Sequence, residues 1–206
     1  LIVFFKDNMT DSIASITHEN DISIITLDDG KANAFSLDML NRVNELLAQV
    51  PRDTGALVIT GRSGLFSGGF DLKTMATGDM EKITQMVHLG YRLLEELYCF
   101  DRPVIAAVSG HSIALGLFVV CCADYRIAID GEYVCQANEV RNNMDIPTPI
   151  MEILKARVNK NYFYPAVYHS DAYSFQDSIA VGFIDEVVAE NQFMSRVMEK
   201  AKELAS

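Results

Sequence analysis

Residues 104–123 read VIAAVSGHSIALGLFVVCCA, and this stretch decides the fold class. The run VIAAV at 104–108 is apolar at every position and ends in Ser109-Gly110. That pattern fits a strand covered on both faces, as in a parallel sheet. Residues 114–122, ALGLFVVCC, are apolar all round and fit a buried helix. A membrane span needs about 20 predominantly apolar residues. Ser109, Gly110, His111 and Ser112 interrupt the stretch, so strand, loop and helix is the better reading.

Working outward, the same alternation repeats. Residues 22–27 and 56–60 predict strands, as do 125–129 and 187–188, and helical spacing of apolar residues marks 37–50, 80–98, 150–158, 175–181 and 193–204. Ser36 is placed to cap the first helix, with Asp38 in its first turn. Alternating strands and helices predict an α/β fold with a mostly parallel sheet and right-handed crossovers. The chain has 206 residues, half of them apolar and 22% charged, which suits one folded domain and excludes disorder. A net charge of −11 disfavours nucleic acid as a partner. The four cysteines, Cys99, Cys121, Cys122 and Cys135, have no metal-ligand spacing and predict reduced thiols in a cytoplasmic protein. Leu1 to Phe5 are too few apolar residues for a signal peptide, and Met9 is an alternative start.

Two junctions carry glycine between a buried strand and a helix: 61–71 and 109–116. A first helical turn has free N–H groups and a partial positive charge. Phe70 and Leu115 are expected at the starts of the two helices, and their N–H groups together would stabilise an oxyanion. Gly68 and Gly69 would let a ligand approach the backbone closely. Glycine-rich turns are common in α/β folds, so spacing alone favours an ordinary turn.

The motifs themselves narrow this. Phe66-Ser67-Gly68-Gly69-Phe70-Asp71-Leu72-Lys73 resembles the FSAGxDLK stretch of the crotonase superfamily, the enoyl-CoA hydratase/isomerase family. Residues 101–111 and Ala123-Asp124-Tyr125-Arg126-Ile127-Ala128 are similar to further stretches of it, and residues 29–35, Asn138-Glu139-Val140-Arg141 and 174–188 follow in order. The resemblance implies a crotonase-type ββα spiral: a lead-in over 1–20, the core over 21–190, and a C-terminal helix over 191–206. The family continues with further helices, so that region is expected to be either unusually short or truncated. The resemblance also implies an acyl-CoA thioester ligand, no metal and no cofactor beyond the coenzyme A of the substrate, and a homotrimer or dimer of trimers. It places the thioester oxygen on the N–H groups of Phe70 and Leu115. It borders the ligand with Lys31, Ala32, Asn33, Ala34, Ser67, Gly68, Gly69, Asp71, Leu72, Lys73, His111, Phe118 and Asn142.

Family hydratases use two glutamates. By the resemblance, one position falls on Phe118, which cannot exchange a proton, and the other on Glu139. Single-glutamate members, the Δ3,Δ2-enoyl-CoA isomerases, need one base for a proton shift. The resemblance therefore implies isomerisation, with Glu139 as the catalytic base and its pKa raised by burial. The family often has an apolar residue and glycine after this segment, whereas this chain has Asn142-Asn143. Two other readings stay open: a hydratase with Asp145 or an Asn142-held water as second acid, and a non-catalytic acyl-CoA-binding homologue. A Clp-type protease drops out, because its nucleophile position falls on Ala114. His111 is read chiefly as a loop-shaping residue. His88 and Tyr91 fall on a helix placed to roof an acyl pocket, although an ordinary amphipathic helix alone accounts for them.

Overall fold

The computed structural model describes residues 12–205. The apolar residues Leu1 to Phe5 and the alternative start Met9 lie outside the described residues. A six-stranded sheet has the order β1 (Ala14–Glu19), β2 (Ile22–Leu27), β3 (Ala56–Gly61), β5 (Val104–Val108), β7 (Tyr125–Ile129) and β10 (Glu186–Val188). Only the β1–β2 pairing is antiparallel; every later pairing in this sheet is parallel. A second sheet has the order β4 (Gly64–Ser67), β6 (Gly110–Ile113), β8 (Val134–Gln136) and β9 (Tyr173–Ser174). Its pairings are parallel except for β8 with β9. The predicted α/β class with mostly parallel sheets is what the chain forms.

Seven α-helices lie among the described residues: α1 (Leu37–Leu47), α2 (Leu72–Ala76), α3 (Met80–Tyr98), α4 (Leu115–Cys122), α5 (Thr148–Arg157), α6 (Phe175–Val181) and α7 (Phe193–Ala205). Ser36 caps α1 as expected, its Oγ accepting from Met39 N. All eight residues of α4 are buried, and β5 is buried along its whole length. These are the two apolar segments of 104–123, and they form the centre of the core. Arg157 closes the C-terminal end of α4 by donating to the carbonyls of Cys121 and Ala123 at 2.9 Å each.

Three expectations need correction. Residues 14–19 form an edge strand, so the boundary expected at 20/21 falls in the β1–β2 turn and part of the lead-in is sheet. Ile16 is the only partly buried apolar residue of its outer half, which hid the period-two signal. Neither glycine-rich junction is a plain loop: 61–71 contains β4 and 109–116 contains β6, paired with each other in the second sheet. Strands of four residues interrupted by glycine carry too little hydrophobic pattern to read.

Candidate functional site

The loop ahead of α1 is built by Asp29 and Asn33. Asp29 Oδ1 accepts from Lys31 N at 2.7 Å and from Asn33 N at 2.8 Å. Asn33 takes a positive φ of 45°, and its buried side chain donates to Leu27 O at 2.8 Å and Phe66 O at 3.1 Å. Its Oδ1 accepts from Asp29 N at 3.0 Å. Expected as a ligand-bordering residue, Asn33 instead spends its amide stapling this loop to β4. The staple continues through Ser67, whose buried Oγ donates to Asn33 O at 2.7 Å and accepts from Gly69 N at 3.1 Å. Gly68 N donates to Ala32 O at 2.9 Å.

Phe35 and Phe70 form an isolated parallel bridge: Phe35 N donates to Gly69 O at 2.8 Å, and Asp71 N donates to Phe35 O at 3.4 Å. The Phe70 N–H therefore points away from that bridge and finds no backbone acceptor among the described residues. Phe70 is not the first helical residue. Asp71 is the N-cap of α2, and its carboxylate accepts from Lys73 N and Thr74 N. Burial pushes the Asp71 carboxyl up, but the hydrogen bonds from the Thr74 hydroxyl and from Thr74 N and Lys73 N, with the Lys73 charge, together hold it below its usual range. The free donor at Phe70 thus comes from the bridge geometry and not from a helix end.

Leu115 is the first residue of α4, and its N–H also lacks a backbone acceptor among the described residues. Ala114 before it sits at φ 52°, ψ −127°, a conformation alanine rarely adopts. It is pinned there: Ala114 N donates to Gln136 O at 2.9 Å, and Ala114 O accepts from Phe118 N at 3.1 Å. Strain of this kind survives only where the surroundings over-determine it, and it clusters at functional sites. The two loops touch. A Cβ built on Gly69, at φ 91°, would lie 2.8 Å from Ala114 Cβ and 3.3 Å from Leu115 N. Two unpaired N–H groups on adjoining loops can both donate to one incoming oxygen. The side chains of Phe70 and Leu115 pack against α3 at Gly90, where a Cβ would lie 2.6 Å from the Phe70 ring.

Glu139 begins a short 3-10 turn over Val140–Asn142. The residue is only 4% exposed, and its Oε2 is buried without a hydrogen-bond partner. Burial pushes its pKa up to about 7. Tyr91 of α3 lies close enough to Glu139 to feel its charge: burial, then Glu139, raises the phenol's pKa. The Tyr91 ring meets the Phe70 ring edge-on at 6.5 Å. Phe70, Leu115, Tyr91 and Glu139 thus converge on one region. From Tyr91 a cavity of about 380 Å³ opens between α3 and α5, lined by His88, Leu94, Tyr98, Pro149 and Ile153 among others.

The other expected residues are placed as follows. Leu72, 76% exposed, and Lys73 project from α2 into solvent, and Lys31 is also exposed. Ala34 is half-buried beside the Asp29 carboxylate. His111 Nδ1 accepts from Val134 N at 3.2 Å, and the ring packs edge-on against Tyr133, so its part is packing on β6. Phe118 is fully buried in α4. Asn142 and Asp145 are exposed. The Asn142-Asn143 departure has a backbone reason. Asn143 takes a left-handed φ of 57°, and Met144 N then closes on Glu139 O at 3.0 Å. Asparagine is among the non-glycine residues that tolerate this conformation best. Gln136 and Ser170 were not anticipated as site residues, because their contacts span 34 positions in the chain. Among the described residues no group of three potential metal-ligating side chains occurs, and no helix is long and apolar enough to cross a membrane.

The family model for enoyl-CoA hydratase/isomerase matches residues 17–206. A probable enoyl-CoA hydratase from Mycobacterium tuberculosis H37Rv has a similar structure, with a TM-score of 0.89 and 37% identity over 94% of this chain and 82% of that one. Enoyl-CoA delta isomerase 3 of Arabidopsis thaliana is 25% identical over 84% of this chain and 76% of its own length. A probable enoyl-CoA hydratase of Bacillus subtilis is 29% identical over 56% of this chain, a match that spans 46% of the relative.

Proposed function

The chain belongs to the enoyl-CoA hydratase/isomerase family, and from that premise we propose that it is a Δ3,Δ2-enoyl-CoA isomerase with Glu139 as its single base. The observation that carries this reading is the buried carboxyl of Glu139, its Oε2 without a hydrogen-bond partner and its pKa pushed up to about 7, while the second acidic position is the buried Phe118. A base is most useful when its pKa lies near the working pH.

In the proposed reaction the thioester oxygen of a 3-enoyl-CoA accepts hydrogen bonds from Phe70 N–H and Leu115 N–H. Glu139 takes a proton from the carbon beside the thioester. The electron pair left behind spreads into a dienolate whose negative oxygen the two donors stabilise. Glu139 then returns the proton two carbons further along, and the double bond ends conjugated with the thioester. No water enters and no cofactor is needed beyond the coenzyme A that the substrate carries. Ala32, Ala34, Gly68, Gly69 and the start of α2 would border the coenzyme A, with Lys31 and Lys73 as solvated cations near its phosphates. The cavity between α3 and α5 would take the acyl tail. We also read the assembly as a homotrimer or dimer of trimers in the cytoplasm. The family resemblance supports the assembly, and the four free thiols support the compartment. A stable monomer by light scattering at micromolar concentration overturns the trimer.

A 3-enoyl-CoA and a 2-enoyl-CoA assayed in parallel test the reaction. Conversion of the first with little hydration of the second is expected. Glu139→Gln is expected to lower kcat by about 10²–10⁴ while leaving acyl-CoA affinity largely intact. Efficient hydration of crotonyl-CoA, or full isomerase activity in Glu139→Gln, overturns the assignment. Affinity for acyl-CoA with no turnover of either substrate points to a non-catalytic homologue.

A further inference from the structure

We propose that Gln136 and Ser170 are positioning residues that lock the Ala114–Leu115 turn and the Glu139 turn into one rigid unit. The inference rests on the reading of Leu115 N–H and Glu139 as the two ends of one reaction site. The connection is continuous. Gln136, the last residue of β8, uses its backbone carbonyl to accept from Ala114 N at 2.9 Å. Its side-chain Nε2 reaches the other way and donates to Ser170 O at 2.8 Å. Ser170 Oγ accepts from Arg141 N at 3.3 Å, two residues beyond Glu139. The Glu139 carbonyl is held in turn by Asn142 N and Met144 N at 3.0 Å each.

Ser170 is fully buried and sits at φ 56°. A buried serine in left-handed backbone is costly, and glycine would hold that conformation without strain. The serine contributes what glycine lacks, an oxygen aimed at the turn that carries the base. Ser170 lies just after the π-helical turn Tyr164–Tyr168, which contacts the Val140–Asn142 turn directly. Among the described residues neither the Gln136 nor the Ser170 side chain hydrogen-bonds the Phe70 and Leu115 N–H groups or the Glu139 carboxyl, so both act through the turns they hold. Correct geometry between a proton-transfer base and the donors that hold the thioester matters steeply, since a misplacement of about 1 Å can cost 10²-fold in rate.

Ser170→Gly separates positioning from simple stabilisation, because it removes the oxygen and relieves the backbone at once. The expected result is a thermal midpoint equal to or above wild type, a kcat lower by about ten- to a hundredfold, and KM within about twofold. Gln136→Met is expected to show the same split. The double variant is expected to be little worse than either single one, because both break the same link. Amide hydrogen exchange gives a readout independent of turnover: each variant should speed exchange about five- to tenfold at both Ala114 and Arg141. If Ser170→Gly keeps wild-type kcat, or the two losses simply add, the coupling is refuted. Should the wild type turn over neither enoyl-CoA, the isomerase reading fails by itself. Exchange then decides the coupling alone: faster exchange at both turns upholds it, and a change confined to one turn overturns it. Should Gln136→Met not fold, Ser170→Gly decides by the same criteria.

Discussion

Glu139 sits between stability and chemistry. Its folded pKa, about 7, lies above the ordinary 4.5. The folded protein therefore keeps a proton on this carboxyl that the unfolded chain has already lost between those two values. Stability from this group is fully present below about pH 4.5 and is lost as pH rises through about 7. The difference is of the order of 3 kcal/mol at one pKa unit per 1.4 kcal/mol. Glu139→Gln should flatten that part of the curve and gain stability relative to wild type above pH 7. Urea unfolding of both proteins from pH 4 to 8 measures it, and parallel curves would refute the burial argument. For activity the sign reverses: kcat should rise with pH through about 7 as the base loses its proton. The identity of this glutamate was legible from its motif. Its burial was expected from the same resemblance; that its Oε2 would be left without a hydrogen-bond partner was not, since that depends on segments distant in the chain.

At the level of elements, the candidate site is a contact between two turns, one after β4 and one after β6. Gly69 is the residue that lets them meet. Gly69→Ala would put a methyl group 2.8 Å from Ala114 Cβ and force alanine to φ 91°. A loss of about 1–3 kcal/mol in stability is expected, with acyl-CoA affinity reduced because the Phe70 N–H moves. Calorimetric melting and titration with an acyl-CoA measure the two effects, and wild-type affinity in this variant would remove the turn from the site. The sequence marked both junctions through their glycines and the buried strands before them. It mislabelled how Phe70 comes to have a free donor, since a five-residue helix capped by Asp71 gives its N–H groups to that carboxylate. The donor at Phe70 exists because a bridge to Phe35, 35 residues earlier in the chain, engages the peptide groups on either side of it.

Across the whole molecule, the closing motif of the chain is structural. Arg126 of β7 meets Asp185 in a two-pronged pair, Nε to Oδ2 at 2.8 Å and Nη2 to Oδ1 at 2.7 Å, and a third donor, Nη1, reaches Gly182 O. This pair seats the α6–β10 segment on the sheet. Asp185→Ala leaves the buried guanidinium without its partner and should cost about 3–5 kcal/mol, read by urea unfolding. A loss below about 1 kcal/mol would show the pair to be an ordinary surface bridge. Read alone, the sequence specified the α/β class, the central strand and buried helix within 104–123, most helices, and the glutamate and two loops of the candidate site. These are set by local periodicity, glycine placement and short motifs, which are properties of neighbours along the chain. The second sheet, the edge strand β1, the inward use of Asn33, the strain at Ala114 and the Gln136–Ser170 link emerge only in three dimensions. Each of these depends on hydrogen bonds or close approaches between segments far apart in the chain, where a backbone group is satisfied or left free by a partner that no local pattern specifies.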